Sequence, residues 1–372
     1  GAIAERVAAF YQAQGGLIRR EDLAAIRAEE AAPVRTAYRG YEVYQSAPNS
    51  QGITMLIALE ILEGYDLRAM GQNSADYVHV VTEALKLAFA DRNQYVADPR
   101  VVKDIPVTEL LSPEYASARR ALIRMDATID SLAPPGDPRR GLAMLAGQVV
   151  RYRTGASPAS PSDAMQPATG DGETSSFSIA DRFGNLVSVT HSVNGTFGSG
   201  MIVEGLGFVL NNRMPYFSLE DGDVNLLAPG KRPRQTINPA LALKDGKPFL
   251  AWNTPGGDNQ PQAMLQAFLN VVEFGMNVQQ AVEAPTVTSS AFRQSNYPQR
   301  APGLLALPRI LGDLIGDQLH QRGHRLQVSE LQGPYRQALS GAGAVKMVML
   351  DATRGVMFGG VSPAKDNYVI GW

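Results

Sequence analysis

The sequence predicts an α+β protein, on three observations. Apolar residues recur at helical spacing through the first half of the chain, and apolar and polar residues alternate at strand spacing through much of the second. Between the halves lies a polar stretch rich in Pro, Ser and Gly, from Thr154 to Glu173. The chain therefore divides into a mainly helical segment, 1–153, a flexible linker, 154–173, and a mainly β segment, 174–372. Many of the strand patterns are apolar on both faces, which suits two packed sheets flanked by helices.

Taken in order, residues 2–13 form an amphipathic helix with Ile3, Val7 and Phe10 on one face, ending at Gly15-Gly16. A short helix follows over Glu21–Glu29, then a strand over Tyr38–Tyr44. Helices are expected over Ile53–Leu62 and Ser74–Tyr95; Val80, Val81, Ala84, Leu85, Ala88 and Phe89 give the second a broad apolar stripe, and Ser74 suits its N-cap. Beyond the linker, strands are expected at 176–181, 186–193, 206–210, 239–244, 248–253, 343–350 and 355–361, and helices at 260–274, 278–283 and 308–322.

A chain of 372 residues can bury a large core and has room for two domains. With 44% hydrophobic and 19% charged residues it has an ordinary globular composition. A net charge of -2 gives no electrostatic case for nucleic acid or an anionic membrane as partner. No apolar run is long enough to span a bilayer, and no leader peptide is visible, so the reading leans to a cytoplasmic location. The absence of cysteine excludes disulfides, thiol nucleophiles and thiolate metal sites. The four histidines, His79, His191, His320 and His324, form no strong metal signature: His320 and His324 are four apart but Gly323 lies between them, and no zincin-type Glu follows. His191 either lines a pocket or packs as a strand histidine. Gly341-Ala342-Gly343-Ala344 lacks the Lys-Ser/Thr ending of a phosphate loop and reads as a strand-entry turn.

The most informative stretch begins at the linker's end. From Thr174 the chain turns into a hairpin, with Phe177 and Ile179 alternating with polar residues, Gly184-Asn185 at the turn, and Val187 and Val189 on the return strand. A cut before Thr174 would place its hydroxyl and a new α-amino group on one residue at the mouth of a strand. That is the arrangement of an N-terminal-nucleophile (Ntn) hydrolase. The alternative reading is a plain strand-start residue.

The stretch Glu173-Thr174-Ser175-Ser176-Phe177 resembles the start of the small subunit of γ-glutamyltranspeptidases. The resemblance runs along essentially the whole chain. It takes in Gly15-Gly16-Leu17-Ile18-Arg19-Arg20-Glu21-Asp22-Leu23, Tyr38-Arg39-Gly40-Tyr41, Ala90-Asp91-Arg92, Asn194-Gly195-Thr196-Phe197-Gly198-Ser199-Gly200, Leu210-Asn211-Asn212, Pro229-Gly230-Lys231-Arg232-Pro233 and Thr254-Pro255-Gly256-Gly257-Asp258. It implies a four-layer αββα Ntn-hydrolase sandwich shared by two pieces of one autoprocessed precursor. Residues 1–153 would be the C-terminal part of the large-subunit segment, preceded by a further segment, and residue 174 would begin the small subunit. The large and small fragments would pair with each other.

The resemblance also assigns roles. Thr174 becomes the nucleophile, and Glu173–Thr174 the bond it cleaves by an N-to-O acyl shift. A threonine hydroxyl needs a base close by, and an α-amine with a pKa near ~8 can serve. Ser192 stands where the family has a second hydroxyl hydrogen-bonded to the nucleophile. Asn194 matches a substrate-contacting asparagine. Gly256 and Gly257 match the oxyanion-hole glycines, and two adjacent glycines also let backbone N–H groups approach a ligand, although such a pair by itself reads as a strand-to-helix turn. Ala90-Asp91-Arg92 reads as a buried ion pair supporting the site. No metal and no organic cofactor is expected.

The pattern breaks at recognition. In the family an amide and an acid after the Asn-Asn pair hold a substrate α-ammonium; here Arg213 and Tyr216 occupy those places. Gln235 and Thr236 stand where two serines would hold the α-carboxylate. Arginine accepts no hydrogen bond and repels an ammonium, but it grips a carboxylate bidentately. A small carboxylate amide without an ammonium suits this pocket, oxamate or a carboxylate-ended acyl chain among them, and the family includes oxamate amidohydrolases. Arg213 in a structural ion pair is the plainer alternative. Three functional readings stand: an autoprocessed amide hydrolase or acyltransferase acting on γ-glutamyl-type or related small carboxylate amides, a dedicated amidohydrolase of a small acidic amide with little glutathione activity, and a non-catalytic binding protein on the same scaffold. Hydrolysis and transfer share the acyl-enzyme and are not separated by the sequence.

Overall fold

The structure is a computed structural model and describes residues 1–130, 132–155, 174–329, 344–363 and 367–371. The linker from 156 onward, Glu173, and residues 341–343 of the expected strand-entry turn lie outside the described residues.

A six-stranded antiparallel sheet forms the centre. Its strands run in the order Val34–Tyr38, Tyr41–Gln45, Ala240–Lys244, Lys247–Asn253, Lys346–Asp351, Val356–Val361. The single strand expected over Tyr38–Tyr44 is in fact a hairpin. Arg39 and Gly40 both take positive φ, 49° and 82°, which is the two-residue turn that matches strand twist.

The helices Ile53–Leu62, Ala75–Tyr95 and Gln260–Val272 supply most of the apolar layer of the core. Every residue of Ile53–Leu62 except Glu60 is buried, as a helix apolar on nearly every face requires. The Ser74 hydroxyl accepts from the Tyr77 N–H at 3.1 Å and caps the long helix, as expected. Trp252 of the sheet stacks on Phe268 of the helix Gln260–Val272, ring centroids 5.2 Å apart.

The hairpin forms as predicted. Thr174–Ala180 pairs with Leu186–Ser192 in the register Thr174↔Ser192 through Ala180↔Leu186. Asp181 closes the turn, its carboxylate accepting from the N–H groups of Phe183 and Asn185. The hairpin packs across the strands Lys247–Asn253 and Lys346–Asp351, giving helix, sheet and second sheet in succession. Its polar face is the one turned inward. Asn253 Nδ2 donates to the Phe177 carbonyl and to the hydroxyls of Ser178 and Ser188, and Lys346 Nζ donates to Ser176 Oγ at 3.1 Å. Phe177, Ile179 and Val187 point outward, each 45–49% exposed. Alternation identified the strands; hydrogen-bonding groups on the sheet beneath decided which face is buried.

Other expectations are corrected in detail. The second helix is only Arg20–Ala25, ending where Ile26 turns extended. Residues 206–210 form no strand; Gly205 and Gly207 hold φ of 75° and 70°, and one isolated bridge, Ile202↔Val209, remains. Leu304–Pro308 and Arg325–Ser329 are parallel partners joined by the helix Arg309–Gln321, a unit whose strands were too short and irregular to be read. Among the described residues no helix is long and apolar enough to cross a membrane.

Candidate active site

Hydrogen bonding across the sandwich puts the Thr174 end of the hairpin at one end of the central sheet. Asn253, the last residue of its strand, reaches the hairpin, and Thr254-Pro255-Gly256-Gly257 leaves the sheet directly after it.

Thr174 Oγ1 donates to Ser192 Oγ at 2.9 Å, across the last register pair of the hairpin. Ser192 Oγ also accepts from the Asn194 N–H at 2.9 Å, so the serine hydroxyl keeps its own proton available to donate. Asn194 sits at φ 80°, and its Nδ2 donates to the Asn212 carbonyl at 3.1 Å. Three of the predicted residues are thus joined directly.

Arg213 Nη2 donates to the Ser192 carbonyl at 3.3 Å, and the guanidinium lies 5.1 Å from the centroid of the Tyr216 ring. The plainer alternative, a structural ion pair at Arg213, is not what the structure shows: no carboxylate among the described residues pairs with it. Burial pulls the Arg213 pKa below its usual value. Tyr216 is buried, and its hydroxyl meets Thr236 Oγ1 at 3.0 Å; burial raises its pKa. Gln235 behaves differently. Its backbone pairs with Asn49 and Gln51, while the buried side chains at 234, 236 and 238 belong to the other face of the segment. Thr236 therefore joins Tyr216 and the Gln235 side chain does not.

Gly256 and Gly257 take φ of 125° and 56°. No described residue accepts a hydrogen bond from either N–H, which leaves both as free donors of the kind an oxyanion needs. A network absent from the sequence reading braces this loop. Gln51 Nε2 donates to the carbonyls of Gly257 and Thr236, at 2.9 and 3.0 Å, tying the glycine loop to the segment that carries Thr236. Arg92 Nη1 donates to Gln51 Oε1 at 2.6 Å and pairs with Asp258 at 2.5 Å. The Asp258 carboxylate also accepts from Ser295 N and Oγ. Burial alone would raise the Asp258 pKa, but Arg92 and Ser295 outweigh it and hold it below the usual carboxylate value.

This corrects the reading of Ala90-Asp91-Arg92 as one ion pair. Asp91 pairs with Arg119 at 3.2 Å, and Arg92 with Asp258. Consecutive residues on a helix do not face each other, so each finds its own partner. Only the Arg92 pair touches the site. Nothing in the sequence around Gln51 marked it, since a Gln before a helix is ordinary; Asp258 stood inside a recognised block.

The histidines also rearrange. His191 is exposed on the hairpin opposite Ser175, neither packed nor joined to the hydroxyl pair. His324 meets His79, with His79 Nδ1 and His324 Nε2 2.8 Å apart. The ligand atoms of His79, Glu83 and His324 lie within 4.8 Å of one another, a convergence the spacing along the chain did not reveal. Their ligand atoms are already engaged. His79 Nε2 donates its N–H to the Arg124 carbonyl, its Nδ1 meets His324 Nε2, and Glu83 accepts from Lys86, Thr128 and the Ile129 N–H. The Lys86 ammonium, 2.7 Å from Glu83, holds the place a cation would take. The cluster reads as a buried polar network.

Helices, a six-stranded sheet and a hairpin second sheet with a hydroxyl pair at its open end are the layers of the Ntn-hydrolase fold. The model for gamma-glutamyltranspeptidase matches residues 1–372, and the chain belongs to that family. It is 35% identical over 327 residues, 88% of its length, to an acylase ACY 1 proenzyme of Pseudomonas sp. strain SE83. It is 36% identical over 296 residues, 77% of its length, to a glutathione hydrolase proenzyme of Escherichia coli K12. A glutathione hydrolase-like YwrD proenzyme of Bacillus subtilis 168 matches it at 33% over 371 residues. The chain spans 51%, 46% and 62% of these relatives. Among solved structures, a cephalosporin acylase from Bacillus halodurans superposes with a TM-score of 0.80 at 31% identity, covering 100% of this chain and 59% of the acylase chain.

Proposed function

We propose that the protein is an autoprocessed amide hydrolase or acyltransferase whose nucleophile is Thr174. The observation that carries this is the 2.9 Å hydrogen bond between Thr174 and Ser192 at the mouth of the hairpin. Relatives named as proenzymes on both the glutathione-hydrolase and acylase sides support cleavage of a precursor.

In the proposed sequence Thr174 Oγ1 attacks the Glu173 carbonyl carbon, and the N-to-O shift leaves an ester. Water hydrolyses it to a Glu173 carboxylate and a free Thr174 α-amine. Residues up to 173 and from 174 onward then remain paired as two fragments of one precursor. In turnover the α-amine takes the Thr174 hydroxyl proton as the oxygen attacks the substrate carbonyl, and returns a proton to the departing amine. Ser192 orients the nucleophile. The N–H groups of Gly256 and Gly257 receive the oxyanion. Water, or an acceptor amine, takes the acyl group from Thr174.

Asn194, Arg213, Tyr216 and Thr236 line the acyl pocket, with Gln235 behind them. Arg213 pairs with no carboxylate among the described residues and can take one from a substrate, while Tyr216 and Thr236 are bonded to each other where an α-ammonium would need an acid. The pocket therefore fits a small carboxylate amide, such as oxamate or a carboxylate-ended acyl amide, better than glutathione. Acid quench during turnover tests the assignment. An acyl mass on the peptide beginning at Thr174 is expected; an acyl mass on any other residue, or none under turnover, refutes it.

A further inference from the structure

We propose that Thr254 is a positioning residue: its buried hydroxyl sets the direction in which the Gly256 N–H points. The inference rests on the reading of Gly256 and Gly257 as oxyanion donors and deepens it by naming what aims one of them.

An amide N–H has no freedom of its own. It lies in the peptide plane and, in a trans peptide, points opposite to the carbonyl of the preceding residue. The Gly256 N–H is therefore aimed by whatever holds the Pro255 carbonyl, and the Gly257 N–H by whatever holds the Gly256 carbonyl. Among the described residues the cis bonds are Pro48-Asn49 and Tyr297-Pro298, so both peptides are trans.

The two carbonyls are held differently. The Gly256 carbonyl accepts from the Asn259 N–H at 2.9 Å, a backbone bond within the turn that opens the helix Gln260–Val272. The Pro255 carbonyl is held by a side chain: it accepts from Thr254 Oγ1 at 2.9 Å, and no other group among the described residues donates to it.

Thr254 is fully buried, and its hydroxyl is fixed from the other side. Thr254 Oγ1 accepts from the Ala344 N–H at 2.7 Å, just beyond the register pair Asn253↔Lys346. A backbone N–H only donates and a carbonyl only accepts, so the hydroxyl proton is committed to the Pro255 carbonyl. The chain of bonds runs from the Ala344 N–H through the Thr254 hydroxyl to the Pro255 carbonyl, and the Gly256 N–H leaves on the opposite side of that peptide.

This residue needs such a hold. Glycine has no Cβ to oppose rotation, and a half-turn of the Pro255–Gly256 plane takes Gly256 from φ 125° to about −55°, an ordinary backbone value. The turned plane presents a carbonyl oxygen where the N–H had been, and that oxygen repels an oxyanion. The Thr254 bond favours the less common of the two orientations, the one that offers a donor.

Kinetics and crystal structures of the full-length protein test this, with wild type beside Thr254→Val and Thr254→Ser. Valine keeps the shape of threonine and removes both hydrogen bonds; serine keeps both. The substrate probe is glutaryl-p-nitroanilide, a carboxylate-ended acyl amide. Expected in Thr254→Val is kcat lowered about 10- to 100-fold with KM changed by less than about threefold, and in Thr254→Ser most of kcat retained. The Pro255–Gly256 plane should be turned, or divided between two orientations, in the valine variant alone. A plane that keeps its direction in Thr254→Val overturns the proposal whatever the rate. So does an unchanged kcat, an effect confined to KM, or an equal loss of kcat in the valine and serine variants. If Thr254→Val does not fold, Thr254→Ala carries the same comparison against Thr254→Ser. Thr174→Ala separates this from the reading of the site. Turnover that survives in Thr174→Ala, or is missing from wild type, sinks the nucleophile assignment, while the plane in Thr254→Val still decides the role of Thr254. Turnover lost in Thr174→Ala, with the plane unmoved in Thr254→Val, does the reverse.

Discussion

Thr174 and Ser192 are cross-strand partners at the open end of a hairpin, their hydroxyl oxygens 2.9 Å apart. The serine oxygen is itself fixed by the Asn194 N–H. In the proposed mechanism this bond holds the Thr174 hydroxyl for attack and leaves Ser192 able to donate to it as charge develops.

Removing that neighbour should therefore cost rate rather than affinity. A hydrogen bond to a group gaining charge is worth about 1.5–3 kcal/mol, roughly 10- to 100-fold in rate. Ser192→Ala is expected to lower kcat by that factor with KM little changed, and Ser192→Thr to retain most activity. Steady-state kinetics on a carboxylate amide decides it; a KM effect alone would assign Ser192 to binding.

The two glycines should differ. Gly257, at φ 56°, lies in the left-handed region, which alanine enters at a cost of about 1–2 kcal/mol, and a Cβ there meets nothing within 4 Å. Gly256, at φ 125°, lies outside the conformations open to residues with a Cβ. Gly257→Ala should keep measurable activity and Gly256→Ala should lose nearly all of it. Equal activities would argue against a conformational role for Gly256.

Arg92 and Asp258 test the brace beneath the loop. Arg92→Met leaves a buried carboxylate unpaired, a loss of about 3–5 kcal/mol in stability. Urea denaturation should show it. Adding Asp258→Leu removes the stranded charge, so the double variant should be less destabilised than the two single losses summed.

The His79–His324 pair predicts a pH dependence. Burial lowers both pKa values, His324 well below its usual value. The folded state then resists protonation that the unfolded chain accepts, so stability is full above pH ~6.5 and falls as pH drops below it toward the folded-state values. His324→Gln should flatten the fall between pH ~6.5 and ~5 in a series of denaturant midpoints. A slope identical to wild type would remove the pair as its source.

Much of this was legible beforehand because local signals agreed with tertiary structure. The Ser74 cap, the buried helix at 53–62 and the hairpin register from Thr174 are all set by neighbouring residues. What was not legible depends on contacts far apart in the chain. The inward face of the hairpin is polar because Asn253 and Lys346 wait beneath it, and no pattern within 174–192 states that. Gln51 became part of the glycine loop's support, and His79 met His324, only once distant segments packed together.

The central claim is that Thr174 cuts the chain and then catalyses. Denaturing mass spectrometry of the incubated full-length protein, beside Thr174→Ala, tests it most directly. The account predicts two fragments in wild type, the smaller beginning at Thr174, and one intact chain in the variant. An intact wild-type chain, or the same cleavage in Thr174→Ala, would contradict it.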